Sequence, residues 1–365
     1  MSENFYYLGF SIFPGIGPAK LTTLLKKFGT AENAWNGSKK KLEEVLGEKL
    51  AGELVEFRKE ISLEKNFEEI KKMEIEVVTI QSDDYPKLLK SLKNPPFLLY
   101  VKGNIEILNS PKIIAVVGTR KITPYGKQIT EMLTQELVSM GFVIVSGLAY
   151  GVDAAAHRAT INSGGKTIAV LGCGVDYCYP PGNQKLYNDI LASGGAIVST
   201  MTPKMEPTVG SFPARNAIIA GLSLGTLVTE GASDSGALIT ASDAASLQRP
   251  VFAIPGPITS SLSIGPNSLL KNGAIPVTTG QDILDKLGIM GFQKVQVNRK
   301  IRLSDLADSA EELIILKLLD VEALHFDEIV RRIGKDSKVI GSLLSFMELK
   351  GIVKSNSQGE YFLNF

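Results

Sequence analysis

The spacing of apolar residues divides the chain. Up to about residue 73 they recur at helical intervals, as at Leu21, Leu24, Leu25 and Phe28, which share one face of a short helix. Phe13-Pro14-Gly15-Ile16-Gly17-Pro18 separates two such helices, and a charged amphipathic helix runs from about Leu50 to Met73. Residues 74–80 and 97–101 read as short strands in a stretch punctuated by Pro86, Pro95 and Pro96.

From Pro111 to about Leu287, short apolar runs alternate with helical patterns. The runs are Ile113–Val117, Phe142–Val145, Thr167–Leu171, Ala196–Val198, Thr226–Thr229, Val251–Ile254 and Ile275–Val277. Helices are expected over Gly126–Met140, Val152–Asn162, Gln184–Ala192, Ala214–Leu222 and Gly236–Leu247. Unbroken β-branched runs suit strands buried on both faces, and the alternation predicts a doubly wound parallel sheet, an α/β fold. After a polar join, three helix patterns and a hairpin close the chain, the arrangement of a winged helix. The expected organisation is a helical domain over 1–73, a connecting segment packing on the core over 74–110, the sheet domain over 111–287, a linker over 288–304 and a winged-helix domain over 305–365.

Composition narrows the function. With 365 residues, 44% hydrophobic content and a formal charge of +1, the chain reads as a soluble multidomain protein whose nucleic-acid site, if any, is a local patch. Two cysteines, Cys173 and Cys178, exclude a disulfide scaffold, and the N-terminus lacks a basic stretch followed by an apolar one. No apolar run has the ~18 residues of a membrane span. The expected location is the cytoplasm.

Several motifs fail on inspection. Gly164-Gly165-Lys166-Thr167 has Thr160 where a P-loop needs its first glycine, and it precedes a strand. Gly172-Cys173-Gly174 has Tyr177 at the third position of the dinucleotide fingerprint, and the two cysteines have no second ligand pair for zinc. Asp153 and His157 lie one helical turn apart, and a structural Asp–His pair is expected.

The loops at the ends of the strands are more informative. Ile113–Val117 stops at Gly118-Thr119-Arg120, before a helix that begins near Tyr125. A strand, a glycine turn and a helix start present backbone N–H groups and a positive dipole end to an anion. Arg120 adds five fixed donors, and Arg215 opens a later helix after Phe212-Pro213. In a parallel sheet such loops share one edge, so an anion pocket is expected there. Lys166 enters its strand from the other end and does not fit this edge.

The ordered set of motifs resembles the DNA-processing protein A family (DprA, also called Smf). It comprises Gly118-Thr119-Arg120 with Tyr125-Gly126; Ser146-Gly147-Leu148-Ala149-Tyr150-Gly151-Val152-Asp153 with His157; and Gly172-Cys173-Gly174-Val175-Asp176 with Tyr179-Pro180 and Asn183. It continues with Phe212-Pro213-Ala214-Arg215-Asn216 before Ile218–Ser223, Glu230 before Ser235–Ala241, and Pro255-Gly256 with Asn267 and Gly273-Ala274. The resemblance implies an extended Rossmann-like sheet, a helix-hairpin-helix or SAM-like N-terminal domain and a C-terminal winged helix. It implies a binding protein without turnover or cofactor. Such a protein binds and shields the single-stranded DNA that comes in during natural transformation, helps load the RecA recombinase, and forms a homodimer through the sheet domain.

The resemblance adds Lys166 to Arg120 and Arg215 in the pocket. The expected DNA-binding set is Gly118, Thr119, Arg120, Ser146, Gly147, Lys166, Phe212, Arg215 and Asn216, with a further contact at Gly15, Gly17 and Lys20. No catalytic residue and no metal ligand is assigned. Two positions depart from the family, Ala217 where arginine is usual and Thr200 where glutamate is usual. Tyr150, Tyr177 and Tyr179 are expected in core or rim packing, with base stacking as the alternative. Two other functions compete: a nucleotide-processing enzyme with Glu230 as acid or base, and a duplex-DNA regulator using Lys335, Lys338, Ser342 and Ser345 of the winged helix, whose neighbouring acids oppose that role.

Overall fold

Strand β3, Ile113–Val117, is central to a nine-stranded sheet, and all five of its residues are buried. The structure, a computed structural model, describes residues 3–208, 210–289, 307–320, 322–356 and 359–363. The other strands of this sheet are β1 (Ile75–Thr79), β2 (Leu98–Gly103), β4 (Val143–Ser146), β5 (Thr167–Leu171), β6 (Ala196–Ser199), β7 (Thr226–Val228), β8 (Val251–Ala253) and β9 (Ile275–Pro276). Their order is β1-β2-β6-β5-β4-β3-β7-β8-β9. Strands β6 to β9 in that order pair in parallel, whereas β2 pairs antiparallel with both β1 and β6. The chain winds from β3 through β4, β5 and β6, then returns to the other side of β3 as β7. Loops leaving β3 and β7 therefore diverge, which opens a crevice at the carboxyl edge.

Alternation along β3 assigns the layers. Ile114 and Val116 meet Leu133 and Leu137 of α7 (Pro124–Ser139) and Ile283 and Leu284 of α13 (Gly280–Leu287). Ile113, Ala115 and Val117 face the other way, toward Ile218, Ile219 and Leu222 of α10 (Ser211–Leu222) and Ala237 and Ala241 of α11 (Gly236–Ser246). Helices α8 (Val152–Asn162) and α9 (Gln184–Ala192) complete the first layer. Burial on both faces explains the unbroken apolar strands. The short α12 (Ile264–Lys271) and α13 were not read from the sequence.

The N-terminal helices are α1 (Asn4–Ile12), α2 (Pro18–Phe28), α3 (Ala31–Trp35), α4 (Lys39–Leu46), α5 (Glu48–Glu60) and α6 (Leu63–Lys72). They were expected to form a domain of their own over 1–73, and the structure revises this. Tyr7, Phe10 and Leu21 share one core with Ile75, Leu98 and Tyr100 of β1 and β2, and with Ala169, Leu171 and Ile197 of β5 and β6. The Tyr100 hydroxyl donates to Ser11 Oγ at 3.0 Å, and Thr79 Oγ1 donates to Asn4 Oδ1 at 2.9 Å. Residues 1–290 accordingly form one compact unit. The connecting segment 74–110 is part of the sheet, since it supplies β1 and β2. A fragment beginning at residue 104 would strip β6 of its antiparallel neighbour, so it is not a sound minimal unit.

Arg249 fastens the α10 layer. Its Nη1 donates to the carbonyls of Ala220, Gly221 and Ser223 at 2.6, 2.7 and 2.6 Å, and Nη2 donates to Leu88 O at 2.7 Å and Ser91 Oγ at 2.8 Å. These carbonyls close the C-terminus of α10, where helix acceptors lack intrahelical partners. Arg249→Ala is expected to lower stability by about 2–4 kcal/mol, because charge-assisted bonds are lost and carbonyls are left unpaired. Urea denaturation followed by circular dichroism checks this. A midpoint equal to that of the parent chain would show that the fastening contributes nothing.

The second unit, residues 291–365, has its own core of Ile315, Leu316, Ile329, Ile340, Leu344, Met347 and Val353. It contains α14 (Ala310–Leu319), α15 (Phe326–Ile333), α16 (Ser337–Leu349) and strands β10 (Leu324–His325), β11 (Val353–Ser355) and β12 (Glu360–Leu363) in the order β10-β12-β11. The three helices and hairpin match the expectation, and β10 is an addition. The expected linker 288–304 lies, from 290 on, outside the described residues.

Candidate functional site

The crevice beside β3 holds two adjoining cavities that share Arg120, Ala149, Phe212 and Arg215. One is lined further by Gly147, Tyr150, Gly172, Cys173 and Tyr179. The other extends over Gly118, Thr119, Asn216 and the start of α11 at Ser235 and Gly236. Loops after β3, β4 and β5 and the first turns of α10 and α11 converge here and bring together Gly118, Thr119, Arg120, Gly147, Phe212, Arg215 and Asn216, but not Lys166 or the hairpin residues Gly15, Gly17 and Lys20.

Arg120 is exposed, and its guanidinium lies over the Phe212 ring at 5.6 Å from the centroid. Tyr179 packs against Phe212 with centroids 5.7 Å apart. Tyr150 and Tyr179 are 49% and 38% exposed, so they form a rim and not a core. The site thus combines a cation with aromatic surfaces at one mouth.

Arg215 is the buried counterpart, with its side chain 8% exposed. Its nearest counter-ion is Asp153 Oδ2 at 3.7 Å, beyond hydrogen-bonding reach, and its Nε has no partner among the described residues. Burial lowers its pKa, Asp153 opposes that shift, and an arginine remains charged regardless. A buried guanidinium with donors unengaged is costly unless an anion meets it. The repulsion between Arg120 and Arg215 adds to the case for an anion between them. Gly147 makes room for this side chain: a Cβ there would lie 1.2 Å from Arg215 Nη1.

The expected backbone cradle is already occupied, which corrects the anion reading of the glycine loops. Thr119 N donates to Glu230 O at 2.7 Å, and Thr119 O accepts from Val152 N at 3.1 Å. Glu230 is buried at the N-terminus of α7, where its carboxylate accepts from Thr123 N at 3.0 Å and Thr123 Oγ1 at 2.6 Å. The positive end of α7 is therefore neutralised from within. Gly126 is required for this contact, since a Cβ there would meet Glu230 Oε2 at 2.0 Å. In the next loop, Gly147 N and Ala149 N donate to Asp153 Oδ2 at 3.1 and 3.4 Å. The amides of Thr119, Gly147 and Ala149 are thus taken, and the side-chain cations Arg120 and Arg215 are the stronger attraction for an incoming anion.

Three further expectations change. Lys166 is exposed and immediately precedes β5, at the edge opposite Arg120, with its Cε near Gly194. Parallel strands keep their two ends apart, so Lys166 does not join the cavities. Ser146 is fully buried and donates to Val116 O at 2.7 Å, which ties β4 to β3. Asp153 and His157 do not pair, because each finds a partner on a different element. His157 Nδ1 lies 2.7 Å from Thr167 Oγ1, whose own proton goes to Ile144 O. Burial, with help from nearby Arg215, holds His157 at about 3, and burial pushes the Cys173 thiol up to about 12. At neutral pH neither is an acid, a base or a thiolate.

Asn216 donates to Gly236 O at 3.2 Å, which joins α10 to the start of α11. Ala217 follows on α10 two residues after Arg215, a spacing that points elsewhere, and it lines neither cavity. Thr200 directly follows β6 and lines neither cavity. The contribution of α11 was not anticipated, although Ser235 before an apolar helix was a readable N-cap, and its side chain does accept from Ala237 N at 3.3 Å. At the N-terminal hairpin, Gly15 has φ +93° and exposed Lys20 Nζ donates to Gly15 O at 2.9 Å, so the lysine closes the turn. Among the described residues no helix is long and apolar enough to cross a membrane.

Comparison with known proteins agrees with the fold. The family model described as DNA recombination-mediator protein A matches residues 76–288, and the DprA winged helix domain model matches residues 303–359. Protein Smf of Synechocystis sp. is 39% identical over 292 residues, which are 79% of this chain and 73% of the relative. DNA processing protein DprA of Streptococcus pneumoniae is 45% identical over 206 residues, 56% of this chain and 72% of the relative. The X-ray structure of the Streptococcus pneumoniae protein aligns with TM-score 0.68 and 36% identity, covering 77% of this chain and 97% of that one. A structure of DNA processing protein A from Helicobacter pylori, described for its single-stranded DNA binding mode, aligns with TM-score 0.52 and 36% identity over 58% of this chain and 95% of that one.

Proposed function

This chain belongs to the DNA recombination-mediator protein A family, and from that premise we propose that it binds single-stranded DNA in the crevice beside β3, shields it during natural transformation and helps load the RecA recombinase. The observation that carries this reading is Arg215, a buried cation with unengaged donors facing the two shared cavities. Arg120 on Phe212, with Tyr150 and Tyr179 at the rim, supplies a charged stacking surface for a strand whose bases are exposed. Family membership further supports a homodimer through the sheet unit and a cytoplasmic location. The hairpin at Gly15, Gly17 and Lys20 adds a second backbone contact.

The competing readings meet specific obstacles. Glu230, the acid or base of an enzymatic reading, is locked onto Thr123. In the winged-helix unit, Lys335 pairs with Glu311 at 2.6 Å, Lys350 with Asp308 at 2.7 Å and Arg332 with Glu322 at 2.9 Å. Paired charges offer little to a phosphate backbone.

Two tests follow. Arg120→Ala is expected to weaken single-strand binding about tenfold and to flatten the log–log salt dependence by about 0.7, the value for one phosphate contact. Lys166→Ala should change affinity less than about twofold, because screening over more than a Debye length removes most of its influence at physiological salt. Fluorescence anisotropy across a salt series measures both, and an equal loss in the two variants would move the site off the crevice. The fragment 1–290, which is one compact unit, should retain nearly all single-strand affinity. A large loss would give the winged helix a direct part in binding.

A further inference from the structure

The pocket contains a carboxylate of its own, Asp153, whose pKa burial raises against the opposing pull of Arg215 and of the Ala149 and Gly147 amides. Loop 147–149 has Leu148 in the left-handed region, at φ +57°, between two residues whose N–H groups point the same way. Converging amides of this kind form a seat for an anion. Here Asp153, from the first turn of α8, fills the seat with Oδ2, and the same oxygen is the one nearest Arg215. Its side chain is 8% exposed, as is that of Arg215. Asn183 fixes the loop from the other side, with Nδ2 donating to Leu148 O at 2.8 Å and Ala149 O at 3.3 Å.

The distance decides what this carboxylate does. At 3.7 Å it attracts the guanidinium without engaging its donors. A closer carboxylate would hold Arg215 in a bidentate pair and remove it from the cavity. No carboxylate would leave a buried cation without compensation. We propose that Asp153 is a positioning residue that limits affinity: it keeps Arg215 aimed into the cavities, and its negative charge weakens the hold on each incoming phosphate so that the strand can be passed on. This rests on the single-stranded DNA reading of the crevice.

Asp153→Asn separates positioning from plain structure. The amide oxygen of asparagine still accepts from Gly147 and Ala149, so the loop keeps its seat, while the charge is removed. The full chain carrying D153N is expected to melt at a lower temperature than the parent, because Arg215 loses its counter-ion. Its affinity for a short labelled oligothymidylate should nevertheless rise about tenfold, and dissociation should slow in proportion. A residue with a merely structural role would lower both stability and affinity. Unchanged or weaker binding by folded D153N overturns the proposal.

Asp153→Glu gives an independent check if D153N fails to fold. Its carboxylate reaches further toward Arg215, and about tenfold weaker binding is expected with the circular dichroism spectrum retained. Unchanged or tighter binding by folded D153E equally overturns the proposal. Failure of the parent chain to bind the oligothymidylate would instead remove the underlying reading of the crevice.

Discussion

Arg215→Gln is expected to lower single-stranded DNA affinity by on the order of a hundredfold, the largest loss among single substitutions in the crevice. Arg215 faces both cavities, is buried, and has its guanidinium unengaged at Nε, so the anion it meets is desolvated and the contact is strong. Glutamine is polar and donates two hydrogens, but it is shorter and carries no charge. It also leaves Asp153 as a buried anion facing no cation, which destabilises the unit by roughly 3–5 kcal/mol if the carboxylate stays ionised. The double variant D153N/R215Q removes that complication. It should regain stability over R215Q and still bind poorly. Anisotropy titrations and thermal melts on both variants check the two halves, and a double variant that binds like the parent would show that Arg215 makes no phosphate contact.

Gly147→Ala should reproduce most of that loss without altering any charged residue. The added methyl would lie 1.2 Å from Arg215 Nη1 and 2.3 Å from Cζ, so the guanidinium must leave its place. Gly147 has no positive φ, so alanine fits the backbone there and the conflict is confined to the arginine. Gly151 differs, with φ +75° and a Cβ position 2.2 Å from Thr119 O, where the backbone itself would have to move. The expected result for Gly147→Ala is a folded protein with a lowered melting temperature and single-strand binding weakened by on the order of fiftyfold. The loss should not add to that of Arg215→Gln, because both remove the same contact. Additive losses would place Gly147 against the DNA directly.

The parallel sheet was legible because it is written locally. The run Ile113–Val117 coincides with β3, and Val152–Asn162 and Gln184–Ala192 coincide with α8 and α9. Arg120 and Arg215 were legible because glycine loops at the carboxyl ends of parallel strands must meet on one edge. What escaped depended on partners distant in sequence. The α7 terminus looked ready for an external anion until Glu230 arrived from the end of β7. Asp153 and His157 looked like a pair because their spacing is helical, but α8 is buried, and one residue turns to a loop and the other to β5. Strands β1 and β2 were read as strands of a connecting segment, and their place in the main sheet escaped because β2 joins it through antiparallel pairing with β6, far later in the chain. Lys166 came mainly from the family resemblance, and it did not fit the geometry of the sheet edge cleanly.

The most direct test of the crevice is photocrosslinking of the full chain to single-stranded DNA carrying 4-thiothymidine, followed by peptide mapping of the adducts. Adducts at Tyr150, Tyr179 and Phe212, lost on addition of unlabelled single strand and not of duplex, are the expected result. Adducts confined to α16, with the rim of the crevice unmarked, would contradict it.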